Sequence, residues 1–548
     1  MTPLDALAPW RALARLGLGP EAAVTVLRGA CLYLPVAVTA VLWRLRRPGP
    51  SARAGLLLAA VWNLVALAAL QAGAREAGWW HFDARGGLLL GMPVDLYLGW
   101  ILLWSAIPPL AAPRLPLAAT AALFLGLDLV AMPRLAPLVQ LGPHWLAGEA
   151  AGCALCLVPA QLLARWTRDG VHLAGRATLQ ACVFAGLTLF LLPAVTLEQA
   201  GGGWQSLLGR PPWLSSILLQ LLAITGVPGL AAVQELAARG RGTPLPFDPP
   251  SRLVTSGPYA YVANPMQIAG VLLLTAWGLV LGSLWVAAAG PMCHLYSAGF
   301  AAWHEDTDLA RRFGGRYRAY RREVRAWLPR WRPWHPSLGA GATAAAVSTR
   351  SPQSVVLPPP AAVPPPPAPP PARLYLAESC LPCSQLRAWL ANRRPTALLL
   401  LAAEDHPGRD LERITYDPAD GSPEESGVAA LARALEHLHL GYAFLGWTAR
   451  LPLLRPALQL LADAAGGFPR RVPRRPLDAV SASLLSSPAR ERQRSAGFPR
   501  LPGQSKAAQA LFHLVENRDP ACPLREDDRQ ELVEAHLLPH CSSGQGGV

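Results

Sequence analysis

Long apolar runs broken by short polar segments fill roughly the first 330 positions, and each approaches the ~20 residues a helix needs to cross a bilayer. The pattern predicts helical spans near 25–43, 54–73, 87–112, 115–133, 148–164, 178–197 and 214–234. From Met266 to Trp303 there is no Asp, Glu, Lys or Arg, and that stretch is too long for one span. Leu281-Gly282-Ser283 offers a turn, which splits it into a hairpin and gives about nine membrane helices. The periodicity then stops. Residues 336–372 are mostly Ala, Ser and Pro, 373–467 alternate short strand-like and helix-like runs, and 468–548 are polar. The expected organisation is a polytopic membrane region (1–240), a membrane hairpin with flanking polar segments (241–335), a linker (336–372), an α/β domain (373–467) and a disordered tail (468–548) with weak helices near 504–516 and 526–537.

Composition narrows the class. The 548 residues are 52% hydrophobic and 15% charged, against about 25% charged in soluble domains. This excludes an ordinary soluble enzyme and a disordered chain. No cleavable signal is evident, so the first apolar segment is expected to stay as a span. The net charge of +14 is almost entirely arginine, Lys506 being the only lysine, a bias that suggests a GC-rich bacterial genome. Arginines crowd alternate loops: Arg44, Arg46, Arg47 and Arg53, then Arg165, Arg168 and Arg176, then Arg239, Arg241 and Arg252, and most of all the segment after Trp303. The positive-inside rule then puts the N-terminus outside and the C-terminus in the cytoplasm of a bacterial inner membrane. Nine arginines between Arg311 and Arg332 suit anionic lipid head groups. No basic module with interleaved stacking aromatics points to nucleic acid. Asp95 and Asp128 fall within predicted spans, where a carboxylate suggests function; both lie toward the outer half and could share a site, or each could accept a buried hydrogen bond.

Residues 252–334 carry the chemistry. Gly257-Pro258-Tyr259-Ala260-Tyr261 and Asn264-Pro265 precede the hairpin. After it come His304-Glu305-Asp306-Thr307-Asp308-Leu309, then Phe313-Gly314 with Tyr317 and Tyr320, and Pro329. A hairpin returns both polar segments to one face, where aromatics, carboxylates and an amide suit a cofactor with a cationic centre, a ribose and an adenine. This order of motifs resembles the isoprenylcysteine carboxyl methyltransferase and phospholipid methyltransferase superfamily. The resemblance implies S-adenosylmethionine bound at the cytoplasmic face by Tyr261, Asn264, Pro265, Glu305, Tyr317 and Tyr320, and a lipid-like or isoprenoid methyl acceptor. Glu305 is the candidate base for an acceptor that must lose a proton. Ala263 and Gln267 stand where the family usually has Arg and Tyr, and Asp306 replaces a second Glu.

Beyond the linker, whose 14 residues from Pro358 to Pro371 would extend about 43 Å as polyproline II, the strand-like Arg373–Leu376 runs into Cys380-Leu381-Pro382-Cys383. A helix start favours the thiolate, so Cys380 would attack and Cys383 resolve. No second ligand pair supports a metal site. Residues 373–467 resemble the DCC family of thioredoxin-like thiol-disulfide oxidoreductases, which implies a thiol or disulfide partner. Cys31, Cys153, Cys156, Cys182 and Cys293 lie in apolar stretches and read as small buried hydrophobes, and Cys522 and Cys541 have no evident partner. The expected fold is thus a multi-pass α-helical membrane protein with a C-terminal α/β thioredoxin-like domain. Three functions follow: a membrane methyltransferase with a fused redox domain, a membrane-anchored thiol oxidoreductase, or a transporter or scaffold using Asp95 and Asp128.

Overall fold

A computed structural model describes residues 19–201, 203–207, 209–244, 249–336 and 370–475, with the side chains of Pro20 and residues 300–304 outside that description. The linker from 337 to 369, and the tail from 476 onward with its expected helices, Cys522 and Cys541, lie outside the described residues.

Among the described residues, seven helices are long and apolar enough to cross a bilayer: Glu21–Arg46, Pro50–Ala77, Val94–Ala111, Leu117–Leu135, Trp145–Asp169, Leu173–Ala200 and Pro212–Gly240. This is a multi-pass helical membrane protein with two fewer such helices than the pattern predicts. The difference is the hairpin. Its first arm, Pro265–Leu281, has 17 residues, about 26 Å at 1.5 Å per residue, which is short of a hydrocarbon core of roughly 30 Å. Its second arm, Leu284–Tyr296, has 13 residues and passes through a wide π-type turn, Ser297–Ala301, into the polar helix Ala302–Glu323. Ser283 caps the second arm by accepting from the Val286 N–H at 3.4 Å.

One end of the bundle is closed by short strands that the hydropathy pattern does not reveal. Trp80–Phe82 pairs antiparallel with Val139–Leu141, and Leu88–Leu89 with Met92–Pro93. They cover a core containing Trp80, Phe82, Tyr97, Trp104, Phe124 and Met132. Asp95 and Asp128 have separate partners rather than a common site. Asp95 holds Arg28 in a bidentate pair at 2.7 and 2.8 Å, and the buried Asp128 accepts from Trp104 Nε1 at 3.2 Å. Of the cysteines expected to be buried, Cys156 is, whereas Cys182 and Cys293 are exposed on apolar helices.

The C-terminal domain is built on a four-stranded sheet. Ala372–Leu376 pairs parallel with Leu398–Ala402, and the helix Leu381–Asn392 makes the crossover. Thr415–Asp417 adds antiparallel to the other edge of the first strand, and Glu425–Ser426 pairs antiparallel with it in turn. Leu374, Leu376, Leu390, Tyr416, Ala430, Ala434 and Leu438 form the core beneath the helix Val428–Leu435.

This domain does not stand off on a spacer. Ala443 and Trp447, on the helix Leu440–Ala449, pack with Val227 and Ala231 of the last long span and with Ala260 and Tyr261. The Leu440 N–H donates to the Trp331 carbonyl at 2.9 Å. Trp331 also stacks on His439 at 4.7 Å between ring centroids.

Candidate functional site

The segment Gly257–Asn264 is held against the chain that follows the polar helix. The N–H groups of Ala263 and Asn264 donate to the Arg325 and Ala326 carbonyls, and those of Arg330 and Trp334 donate to Tyr261 and Ala260. The two polar segments flanking the hairpin therefore meet. Asn264 precedes the arm Pro265–Leu281, with Pro265 at its first position, where the missing N–H costs nothing.

The side chains divide into those committed to the fold and those left open. Tyr261 is fully buried, its hydroxyl donating to the Glu436 carbonyl at 2.9 Å and its ring edge-on to Trp447. Tyr320 donates to the Tyr259 carbonyl at 2.7 Å and packs edge-on against Trp334. Tyr317 donates to Asp306, which also pairs with Arg321. The hydroxyls of three residues expected to contact the cofactor are thus spent on internal bonds.

Glu305 differs from its neighbour. It is exposed and, among the described residues, takes one hydrogen bond, from Gln267 Nε2 at 3.2 Å. The atoms crowding it still raise its carboxyl above the ordinary value by desolvation, with the Gln267 bond acting the other way. Gln267 Oε1 and the Tyr259 hydroxyl are buried without a hydrogen-bond partner among the described residues. Burial, followed by the charges of Glu305 and Glu235, raises the Tyr259 phenol and holds it neutral. The Asn264 side-chain amide makes no hydrogen bond among the described residues. Glu305 bonds to Gln267 and its charge acts on Tyr259, and Asn264 precedes Gln267 by three positions, so the four bring unused donors and acceptors to one candidate recess, the hydrogen-bonding inventory that a ribose or an amino-acid moiety requires. Gln267 appears in the sequence only as a departure from a family pattern.

Beside this recess lies a charge cluster that the sequence reading did not single out. Glu235, near the end of the last long span, is fully buried. Ser256 Oγ donates to it at 2.5 Å, and Arg239, Arg433 and Arg450 approach it at 3.0, 2.7 and 3.8 Å. Arg433 and Arg450 also pair with Glu425 and Glu436, and Arg239 with Asp420. Gly257 follows Ser256 with φ +58°, and a Cβ there would stand 3.1 Å from the Glu235 carboxyl carbon. Only glycine fits both the left-handed backbone and the space. The cluster joins the membrane helix, the loop that leads to Asn264 and the C-terminal domain.

At the opposite edge of the domain, Cys380 caps the helix Leu381–Asn392, its sulfur accepting from the Cys383 N–H at 3.4 Å. The two thiols lie 2.6 Å apart. Burial, then the Cys380 sulfur, pushes the Cys383 thiol up to about 12. The Glu404 carboxylate receives the N–H groups of Glu378 and Ser379 and fixes the approach to the motif. No group of three or more metal-ligating side chains occurs among the described residues.

No curated protein and no solved structure was found to match the chain. A family match begins inside the last long span, upstream of the Gly257-Pro258-Tyr259 motif, so Glu235 belongs to the matched region and Tyr317 and Tyr320 fall just beyond it. Residues 219–316 match the phospholipid methyltransferase family, which points to a membrane methyltransferase.

Proposed function

We propose that the chain is an integral-membrane methyltransferase that binds S-adenosylmethionine in the recess of Tyr259, Asn264, Gln267 and Glu305 and methylates a lipid-like or isoprenoid acceptor. The observation that carries the reading is the Tyr259 hydroxyl and Gln267 Oε1, buried and without a hydrogen-bond partner among the described residues, beside an accessible carboxylate within the matched segment. When bound, S-adenosylmethionine supplies an electrophilic methyl group on a sulfonium. Glu305 offers the negative charge that holds a cation there, and its raised carboxyl suits removal of a proton from an amine or hydroxyl acceptor. Asn264 and Gln267 orient the ligand. Tyr261, Tyr317 and Tyr320 act at one remove by fixing the backbone that presents these groups. The hairpin exposes Leu272 and Leu279 on its first arm and Leu284, Trp285 and Met292 on its second, so an acyl or prenyl chain can approach sideways.

The arginine distribution supports a cytoplasmic site, and the exposed Arg311, Arg316, Arg318 and Arg322 support contact with anionic head groups. For the C-terminal domain, a parallel strand pair joined by a helix that starts at Cys380, with antiparallel strands on the other edge, favours a thioredoxin-like thiol-disulfide role.

The test is calorimetric titration of the detergent-purified full chain with S-adenosylmethionine, alongside Glu305→Ala and Tyr259→Phe. Micromolar binding abolished by Glu305→Ala and weakened by Tyr259→Phe supports the reading. A folded wild type that takes up no heat refutes it and leaves the Cys380–Cys383 pair as the working chemistry.

A further inference from the structure

The helix Leu454–Ala462 is turned the wrong way round for a soluble domain. Its polar side faces inward: Gln459 Oε1 accepts from the Val428 N–H at 2.9 Å, Gln459 Nε2 donates to Asp463 at 2.8 Å, and Asp463 also takes Arg413. Its apolar side faces out. Leu453 is 88% exposed, Leu460 71% and Leu461 66%, and Leu454, Leu445 and Phe468 are also open. Positions 454, 457 and 461 are apolar and exposed at helical spacing, and Ala464 continues them into the following turn, so the outward face is an apolar stripe. A stripe of this kind on one side of a domain marks an interaction surface.

The fold indicates what covers it. The preceding helix, Leu440–Ala449, packs through Ala443 and Trp447 on Val227 and Ala231. Those two residues are 13 and 9 positions before Gly240, the end of the last long span, hence about 20 and 14 Å up its axis. The helix Leu440–Ala449 therefore lies against the apolar part of the span N-terminal to Glu235, and Leu454–Ala462 packs beside it with its leucines facing outward. From Leu440 to Ala462 the only charged residues are Arg450, which is spent on Glu425 and Glu436, and Arg455, which is exposed and can reach head groups while its stem stays among apolar chains.

We propose that the helix pair Leu440–Ala449 and Leu454–Ala462 is an interfacial membrane anchor, with Leu453, Leu460 and Leu461 seated in the acyl region of the same bilayer that holds the spans. The C-terminal domain is then a membrane-surface domain, whatever chemistry the recess or the thiols perform.

Photolabelling tests it. The full chain is placed in lipid nanodiscs containing a phosphatidylcholine with a diazirine in its acyl chain, irradiated, digested and mapped by mass spectrometry. Acyl adducts on residues 451–468 should exceed those on the exposed loop 407–410 several-fold. Leu453→Glu/Leu460→Glu/Leu461→Glu should bring them down to the loop's level while adducts on the spans persist. Equal labelling of 451–468 and 407–410 in the wild type overturns the proposal, so a misfolded variant cannot shield it. A wild type without adducts at 451–468, whose dimer dissociates in the triple variant, overturns it in favour of an interface between two copies of the chain.

Discussion

Arg433→Met should release the C-terminal domain from the membrane core. Arg433 is buried between three carboxylates, Glu425 at 2.6 Å, Glu235 at 2.7 Å and Glu436 at 3.1 Å. The cluster sets four acids (Asp420, Glu235, Glu425, Glu436) against three arginines (Arg239, Arg433, Arg450). Losing Arg433 leaves four acids facing two cations, and Glu235 keeps the Ser256 hydrogen bond, Arg239 and the more distant Arg450. Removing one partner of a buried pair costs about 3–5 kcal/mol, mostly the penalty of the charge left behind. At 1.4 kcal/mol per tenfold, docking weakens by roughly two to three and a half orders of magnitude. Glu235→Gln should do much less, because it leaves three acids against three arginines and Arg433 retains Glu425 and Glu436.

The assay is hydrogen exchange on the full chain. The Leu440 amide bonds to the Trp331 carbonyl across the junction, so it reports the docked state. Arg433→Met should speed its exchange by the factor above, while the Arg330 and Trp334 amides, bonded to Tyr261 and Ala260 within the membrane-side segment, and the amides of the strand Ala372–Leu376 keep their protection. Glu235→Gln/Arg433→Met should recover part of the loss. Unchanged exchange in Arg433→Met, or a Glu235→Gln variant that exchanges as fast as Arg433→Met, would refute the reasoning.

Further expectations concern single groups. His437 donates from Nδ1 to the Thr396 carbonyl at 2.7 Å and accepts at Nε2 from Tyr416 at 2.9 Å, and burial lowers its pKa to about 4. Unfolded, it would take a proton near pH 6.5, so its contribution is full above pH 6.5 and is lost as the pH falls toward 4, about 3 kcal/mol in all. Thermal midpoints of the wild type should drop more between pH 7 and 4.5 than those of His437→Gln. Gly314 stands at φ 56°, ψ −128° inside the polar helix; Gly314→Ala should cost about 1–3 kcal/mol in strain and, by misplacing Tyr317, lower S-adenosylmethionine affinity in the titration above. Asp306→Asn should weaken the Tyr317 and Arg321 contacts and lower the melting temperature, whereas Glu305→Gln should leave the melting temperature unchanged and remove cofactor binding. At pH 8 iodoacetamide should label Cys380 ahead of Cys383, whose thiol stays protonated, and peptide mapping reads the order.

The membrane helices were legible because bilayer crossing imposes a length and an apolarity that any window of sequence reveals. The hairpin was legible as apolar but not as short, because its second arm ends in a π-type turn that hydropathy does not report. The strands at Trp80 and Val139 were hidden because three residues paired across a gap of nearly sixty leave no local pattern. In the site, Glu305 and Asn264 stood out by motif, yet the motif could not separate the open Glu305 from Asp306, which is tied to Tyr317 and Arg321. Glu235 went unread because it looks like an ordinary helix end. Its importance lies in partners about two hundred residues away.

Tyr261 shows why the C-terminal domain belongs in any account of the recess. Its carbonyl accepts the Arg330 N–H, its hydroxyl reaches the Glu436 carbonyl, and its ring packs on Trp447. Glu436 in turn pairs with Arg433 and Arg450, the two arginines that face Glu235. Asn264 is three residues on from Tyr261, in a segment pinned to Arg325 and Ala326. One tyrosine thus ties the loop, the chain after the polar helix and the C-terminal domain into a single unit. The aromatic expected as a ligand contact is also the joint that fixes the segment carrying Asn264. Tyr261→Phe, which keeps the ring and removes the bond to Glu436, is the sharp version of this argument. It should cost about 1–3 kcal/mol, the penalty of leaving the buried Glu436 carbonyl without its donor, and should appear as faster exchange at Leu440 before any change in the heat of S-adenosylmethionine binding. A direct contact with the cofactor would reverse that order.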